Sequence, residues 1–170
     1  MKAMALATLV LAATLDAQVI RFDAAPAGTL PDGWFSGMTH KGGPQKWQIL
    51  ADSSAPSKPS VLAQTSNDST GGRFPFAVYD KASPKDGFVS VRFKAIAGKV
   101  DQAAGLIWRF RDADNYYMLQ LGSDNTLTLW RKSAGTWSQI GDYTSPDLGL
   151  RPGSVINLQA RVRDGAITPM

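Results

Sequence analysis

The chain has 170 residues, with 18 Lys and Arg against 14 acidic residues, one His, no Cys and a formal net charge of +4. The missing cysteine excludes disulfides, thiolate metal sites and a cysteine nucleophile, and because every acidic residue is Asp, any acid–base chemistry must use Asp, Lys or His40. The length suits one domain that buries about two thirds of its unfolded surface, and the basic residues are dispersed with no basic run to track phosphates, so no nucleic-acid partner is expected.

The chain opens MKAMALATLVLAATLDA, with Lys2, an apolar run from Ala3 to Leu15, and Ala17 at a cleavage point. This is the pattern of a secretory signal peptide. The run is too short to span a bilayer comfortably, and no later segment is apolar enough to do so. The expectations are a signal peptide over 1–17, a single domain over 18–170, a secreted or periplasmic location and no integral membrane span.

Between Asp23 and Lys46 the chain is punctuated by Pro26, Gly28, Pro31, Gly33, Gly37, Gly42, Gly43 and Pro44, which breaks up any helix. Short alternating runs appear instead: KWQIL, SVLAQTS, FPFAVYD, GFVSVRFKAIAG, GLIWRF, YYMLQLG, TLTLWRK, TWSQIGDYT and SVINLQARVRD. Turn signals such as SPKDG, DADN, GSDN, SAG and RPG separate many of them. Many short strands at this spacing predict an all-β, antiparallel sandwich or barrel, with a two-sheet jelly roll the favoured form.

Successive side chains of a strand point to opposite faces. In GLIWRFR that alternation puts Leu106, Trp108 and Phe110 on the core face and Ile107, Arg109 and Arg111 on the other. In FVSVRFK it turns Val89, Val91 and Phe93 inward and Ser90, Arg92 and Lys94 outward. NTLTLWRK has Leu127 and Leu129 inward, with Thr126, Thr128, Trp130 and Lys132 outward. VINLQARV has Ile156, Leu158, Ala160 and Val162 inward, with Asn157, Gln159 and Arg161 outward. For YYMLQL, turning Tyr117, Leu119 and Leu121 inward exposes Tyr116, Met118 and Gln120.

The outward set combines guanidinium groups, amides and the Trp130 ring, which are the parts a sugar site needs. Arg, Asn and Gln bond hydroxyls, and an aromatic ring covers the apolar C–H face of a pyranose. Outward Arg, Lys and Thr are equally what a solvated sheet face carries, and an outward Trp can be covered by a loop or by further strands, so both readings stand at this point. The loop RDADN reads as a turn, because Asp and Asn cap local backbone and the segment lacks a calcium-loop pattern. His40, in a Gly-rich loop, is either a solvated loop residue or a general base at a site rim. No phosphate-binding glycine loop and no GxSxG nucleophile is present.

Taken together and in order, LPDGWFSGMTHKGGPQKWQILADSSAPSKPSVLAQTS, RFPFAVYD, VSVRFKAIAGKVDQAAGLIWRFRDADNYYMLQL and NTLTLWRK resemble the 3-keto-disaccharide hydrolase domain family, within the concanavalin A-like lectin/glucanase superfamily. The likeness covers about residues 20 to 163. It implies a two-sheet jelly roll, export from a bacterial cytoplasm, and action on or binding of a saccharide ligand. Related retaining glucanases use a strand bearing two Glu around an Asp, which a Glu-free chain cannot supply, and no Asp pair at about 5 to 5.5 Å is evident in the strand interiors. A 3-keto sugar relaxes the demand, because its ketone acidifies the neighbouring C–H and permits elimination assisted by a base and a cation. On that reading His40 is the catalytic base and Arg109 the cation, with Trp130, Arg92, Tyr116 and Gln120 binding substrate. No metal-ligating residues and no definite cofactor are expected, and a divalent metal requirement stays open.

The C-terminal RVRDGAITPM gives a strand, a DG turn and a return strand that then stops. Domains of the resembled family continue for further strands, so the jelly roll is expected to lack its last strands and to offer an open sheet edge for homo-oligomers. Three readings remain: a saccharide-active domain resembling 3-keto-glycoside hydrolases, a non-catalytic carbohydrate-binding module using the same face, and a structural or interaction sandwich.

Overall fold

The structure, a computed structural model, describes residues 18–57, 59–82, 84–97, 103–144, 148, 153–163 and 166–169. The signal peptide expected over 1–17 lies outside the described residues. Among these the chain forms eleven strands: β1 (Trp34–Thr39), β2 (Trp47–Ala51), β3 (Ser60–Gln64), β4 (Phe74–Tyr79), β5 (Gly87–Lys94), β6 (Ala103–Asp112), β7 (Asn115–Gly122), β8 (Thr126–Ser133), β9 (Thr136–Thr144), β10 (Val155–Arg163) and β11 (Ala166–Pro169). Every pairing between them is antiparallel. No helix among the described residues is long and apolar enough to cross a membrane.

Strands β6, β7, β8 and β9 form a meander in that order, and β11, β10 and β5 form a second sheet. Between the two lies the main core. The meander contributes Leu106, Trp108, Leu119, Leu121, Leu127 and Leu129; the other sheet contributes Leu158, Ala160 and Val162, with Val89, Val91, Phe93 and Ile156 packed against them. These are the inward positions that alternation predicts. Leu119, Leu121 and Ala160 have no exposed surface, and burying each leucine side chain contributes about 1.5–3 kcal/mol. The all-β, two-sheet jelly-roll expectation holds.

One strand departs from simple alternation. Trp108 pairs with Tyr117 and Asp112 with Asn115, so residues 109–111 of β6 stand opposite Tyr116 alone. Arg109 adopts a left-handed backbone, φ 49°, and Phe110 turns away from the core to stack on Tyr116 at 5.5 Å. The reading of Phe110 as a core neighbour of Trp108 is therefore corrected: a β-bulge reverses its side.

The pair β1–β4 supplies the cover for that reversed ring. Its registered face carries Phe35, Gly37, Thr39, Phe74 and Phe76. Phe35 and Phe76 lie 5.5 and 5.1 Å from Phe110, centroid to centroid. Gly37 stands opposite Phe76 and leaves room for its ring, since a Cβ there would run into it. The β2–β3 hairpin is tied to β5 by Lys94, whose Nζ lies 2.6 Å from both Asp52 Oδ2 and Ser54 Oγ. The Lys94 hydrogen bond is the main reason the Asp52 carboxyl titrates far below the ordinary range.

Two substitutions test this architecture by urea denaturation. Leu121→Ala removes a side chain with no exposed surface and should cost about 2–5 kcal/mol. Ala134 (φ 47°) and Gly135 (φ 78°) make a two-residue turn between the paired Ser133 and Thr136, a type I′ geometry that favours Asn-Gly. Ala134→Asn should therefore raise stability by about 0.5–1 kcal/mol.

Candidate functional site

Residues directly opposite in a sheet share a face, so the registers of β6–β9 define what the outer face of the meander presents. At one end Tyr116, Lys132 and Trp137 form a row across β7, β8 and β9. The next row is Ile107, Met118, Trp130 and Gln139, and the one after it Gly105, Gln120, Thr128 and Asp142. The first row is covered by β1–β4. The third is open: Asp142 is exposed, and Gln120 and Thr128 are half-buried.

Trp137 is the hub of the covered end. Its ring meets Tyr116 edge-on at 5.4 Å, Trp130 at 6.1 Å and Phe74 at 6.4 Å. Its Nε1 donates to His40 Nε2 at 3.1 Å, with that imidazole nitrogen as the acceptor. His40 also packs against Phe74 at 5.4 Å. Lys132, buried, lies 5.6 Å from the Trp137 centroid and bonds Asp114 Oδ1 at 3.0 Å and the Ala113 carbonyl at 2.8 Å. Tyr116 is 3% exposed, and burial pushes its phenol up from the ordinary range. The neighbouring Thr39 hydroxyl opposes that shift.

Trp130 marks the boundary between covered and open surface. It is half-buried, and its Nε1 is enclosed without a hydrogen-bond partner. What it shows to solvent is therefore carbon. Gln139, exposed, stands directly across from it on β9.

The structure thus brings together His40, Trp130, Tyr116 and Gln120 of the expected site residues and leaves two outside. Arg109 sits in the β6 bulge and reaches the Lys85 carbonyl at 3.3 Å, while the contacts of His40 are to Trp137 and Phe74. Arg92 belongs to β5, opposite Asn157. Its neighbours Val91 and Phe93 face the core, so Arg92 points outward on the far side of the sandwich, with the core between it and Trp130. Tyr116 is in the group but packed rather than open, a correction to its expected exposure that follows from the β1–β4 cover. Trp137, Gln139 and Asp142 escaped the sequence reading. Folding β8 onto β9 about the SAG turn would have found Trp137, since it pairs with Lys132.

The RDADN loop is a turn, as its composition suggests. Asp112 Oδ1 accepts from the Asp114 backbone N–H and from the Asn115 amide, both at 2.8 Å. Those bonds, the Asn115 one foremost, lower its titration.

The loop that carries His40 is held from behind. His40 itself is left-handed, φ 69°, an uncommon conformation for a non-glycine residue. Arg73, with a side chain 7% exposed, donates to the carbonyls of Gly43 and Pro44 at 3.0 and 2.8 Å and to Ser66 Oγ at 3.1 Å. Asp68 accepts from the Gly43 N–H with Oδ2 and from the Thr70 N–H with Oδ1. Hydrogen bonds from Thr70, then Gly43, hold the Asp68 carboxyl at about 2.

The sequence matches no protein-family model and no curated protein. The fold is similar to that of the carbohydrate-binding module CBM66 from Bacillus subtilis, with a TM-score of 0.55 and 16% sequence identity over 81% of this chain and 73% of that one. At that identity the likeness establishes a shared β-sandwich architecture; function has to be argued from the site.

Because the Asp68 titration is depressed in the folded protein, its contribution to the loop is complete above an ordinary carboxylate value of 3.8 and lost as pH falls through about 2. The Gly43 amide proton should hold its chemical shift from neutral pH to about pH 4 and move between there and about pH 2. In Asp68→Asn that titration should be absent.

Proposed function

We propose that this chain is a non-catalytic saccharide-binding module whose ligand lies on the outer face of the β6–β9 sheet. The observation that carries the reading is Trp130, partly exposed with its Nε1 enclosed so that it offers carbon, next to a row of Gln120, Thr128 and Asp142 and opposite Gln139. The ring suits the C–H face of a sugar, and the amides, hydroxyl and carboxylate suit its hydroxyl groups. A few placed polar groups around an apolar contact are the usual make-up of a small-molecule site. The CBM66 neighbour, a carbohydrate-binding module on a similar sandwich, supports the same reading. Export, as the N-terminal segment suggests, is the setting in which such a module meets polymeric sugars.

Catalysis is the second reading, motivated by the resemblance to 3-keto-disaccharide hydrolases and by His40 at the rim of the face. Two points weigh against it. Asp142 is the one carboxylate in the registered rows from Tyr116 to Asp142, whereas ordinary glycoside hydrolysis takes two. The elimination route needs a base and a cation together, yet His40 Nε2 already accepts from Trp137 and Arg109 is bonded to Lys85.

The test is equilibrium binding to neutral saccharides with wild type and Trp130→Ala, folding being checked by circular dichroism. Trp130→Ala should weaken binding at least about tenfold, a loss of about 1.4 kcal/mol. Undiminished binding by the folded variant would remove the ring from the site. Release of free sugar from a 3-keto-glucoside by the purified chain would favour the hydrolase, and absence of any saccharide binding would leave a structural or interaction sandwich.

A further inference from the structure

A groove lies along the segment that follows His40 in the chain. Residues 43–46 form one wall and residues 65–68 the other, around a shallow groove of about 480 Å³. It sits at the open end of the β2–β3 hairpin, where Trp47 pairs with Gln64. The groove is built rather than incidental. Its walls are clamped by the Arg73 and Asp68 bonds described above, and Gly42 and Gly43 leave no space to spare: a Cβ on Gly42 would meet Arg73 Cδ at 2.8 Å, and one on Gly43 would meet Asp68 Oδ2 at 2.6 Å.

The groove is lined by polar side chains and holds no aromatic ring. Asp68 and Arg73 are occupied in holding the walls. Lys46 and Asn67, both exposed, make no side-chain bond among the described residues, so an ammonium and an amide remain for a ligand. A neutral, hydroxyl-rich molecule fits this donor and acceptor set. The two surfaces are also close. His40 touches Trp137, and Gly43 follows His40 by three residues, at most about 11 Å of fully extended chain. Phe74, which packs on both His40 and Trp137, is the chain neighbour of Arg73.

We infer that the ligand is an oligosaccharide, one sugar unit lying on the Trp130 face and a further unit passing His40 into the groove of residues 43–46 and 65–68. This rests on the saccharide-binding reading above. The strained, clamped loop between the two surfaces is then the fixed divider of two subsites. A pre-ordered wall of this kind lowers the ordering cost of binding a longer ligand.

The experiment is calorimetric titration of wild type, Trp130→Ala and the double variant Lys46→Ala/Asn67→Ala. The ligands are the mono-, di- and tetrasaccharide of whichever sugar binds most tightly in a panel of gluco-, galacto-, manno- and xylo-oligosaccharides. Wild type should bind the tetrasaccharide at least about tenfold more tightly than the monosaccharide. The double variant, which alters two exposed side chains and should fold normally, should lose that gain and keep the monosaccharide affinity. Trp130→Ala should weaken both. Equal affinity at every length, or a double variant indistinguishable from wild type while Trp130→Ala still weakens binding, would overturn the groove subsite and leave the face intact. No binding to any member of the panel would overturn the groove together with the reading on which it rests.

Discussion

Strand β6 gives Leu106 and Trp108 to the space between the two sheets and Phe110 to the opposite side, and this change of side rests on the left-handed backbone of Arg109. A regular strand could not do this, because alternation would return Phe110 to the side of Trp108. The bulge sets three β6 residues against Tyr116, and the Arg109 side chain is anchored on the Lys85 carbonyl just before β5. The consequence is a second apolar layer. Phe35, Phe76, Phe110 and Tyr116 pack at centroid distances of 5.1 to 6.4 Å, and such ring pairs contribute beyond the area they bury. Without Phe110 on that side, β1–β4 would have little apolar surface to pack against at the β6 end of the meander.

That second layer covers one end of the outer face and stops at Trp130. The candidate site is therefore a boundary, packed rings on one side and open polar strand on the other. Trp130 is oriented by an edge-on contact with Trp137, which is itself fixed by Tyr116, by His40 and by the buried Lys132 ammonium. Lys132 in turn joins the β6–β7 loop through Asp114 and Ala113. A ring held this way would lose little freedom on stacking against the proposed ligand, and lower ordering cost appears as affinity.

Much of this was legible in the residues. Alternation alone identified the inward sets of β5, β8 and β10, because both sheets bury one face and a one-residue slip would turn every leucine to solvent. It failed at Phe110, where nothing in GLIWRFRDADN announces a left-handed arginine. It also failed at Tyr116, whose burial comes from β1 and β4, strands some 40 to 80 residues earlier in the chain. Arg92 shows a different limit: parity says that a side chain points outward, but not from which sheet, and Arg92 and Trp130 point outward on opposite sides of one core. Trp137 was within reach, since hairpin pairing across SAG places it beside Lys132.

The use made of the acidic residues bears on binding against chemistry. In a Glu-free chain, Asp52 holds Lys94, Asp68 fixes the Gly43 loop, Asp112 caps its own turn and Asp114 pairs with Lys132. Each is committed to structure, and the titrations of the first three are displaced downward by the hydrogen bonds that commit them. Such carboxylates are poor proton donors at neutral pH, because catalysis of that kind calls for a titration raised toward the working pH. His40, the base that the elimination reading names, serves as acceptor for the indole that organises the aromatic end. Asp142 is left on the open face, near Thr128 and Gln120 and without a second carboxylate in those rows. A lone carboxylate can accept hydrogen bonds from sugar hydroxyls and cannot alone divide the roles of acid and nucleophile, so the same economy of acids that disfavours hydrolysis favours the proposed binding role over chemistry.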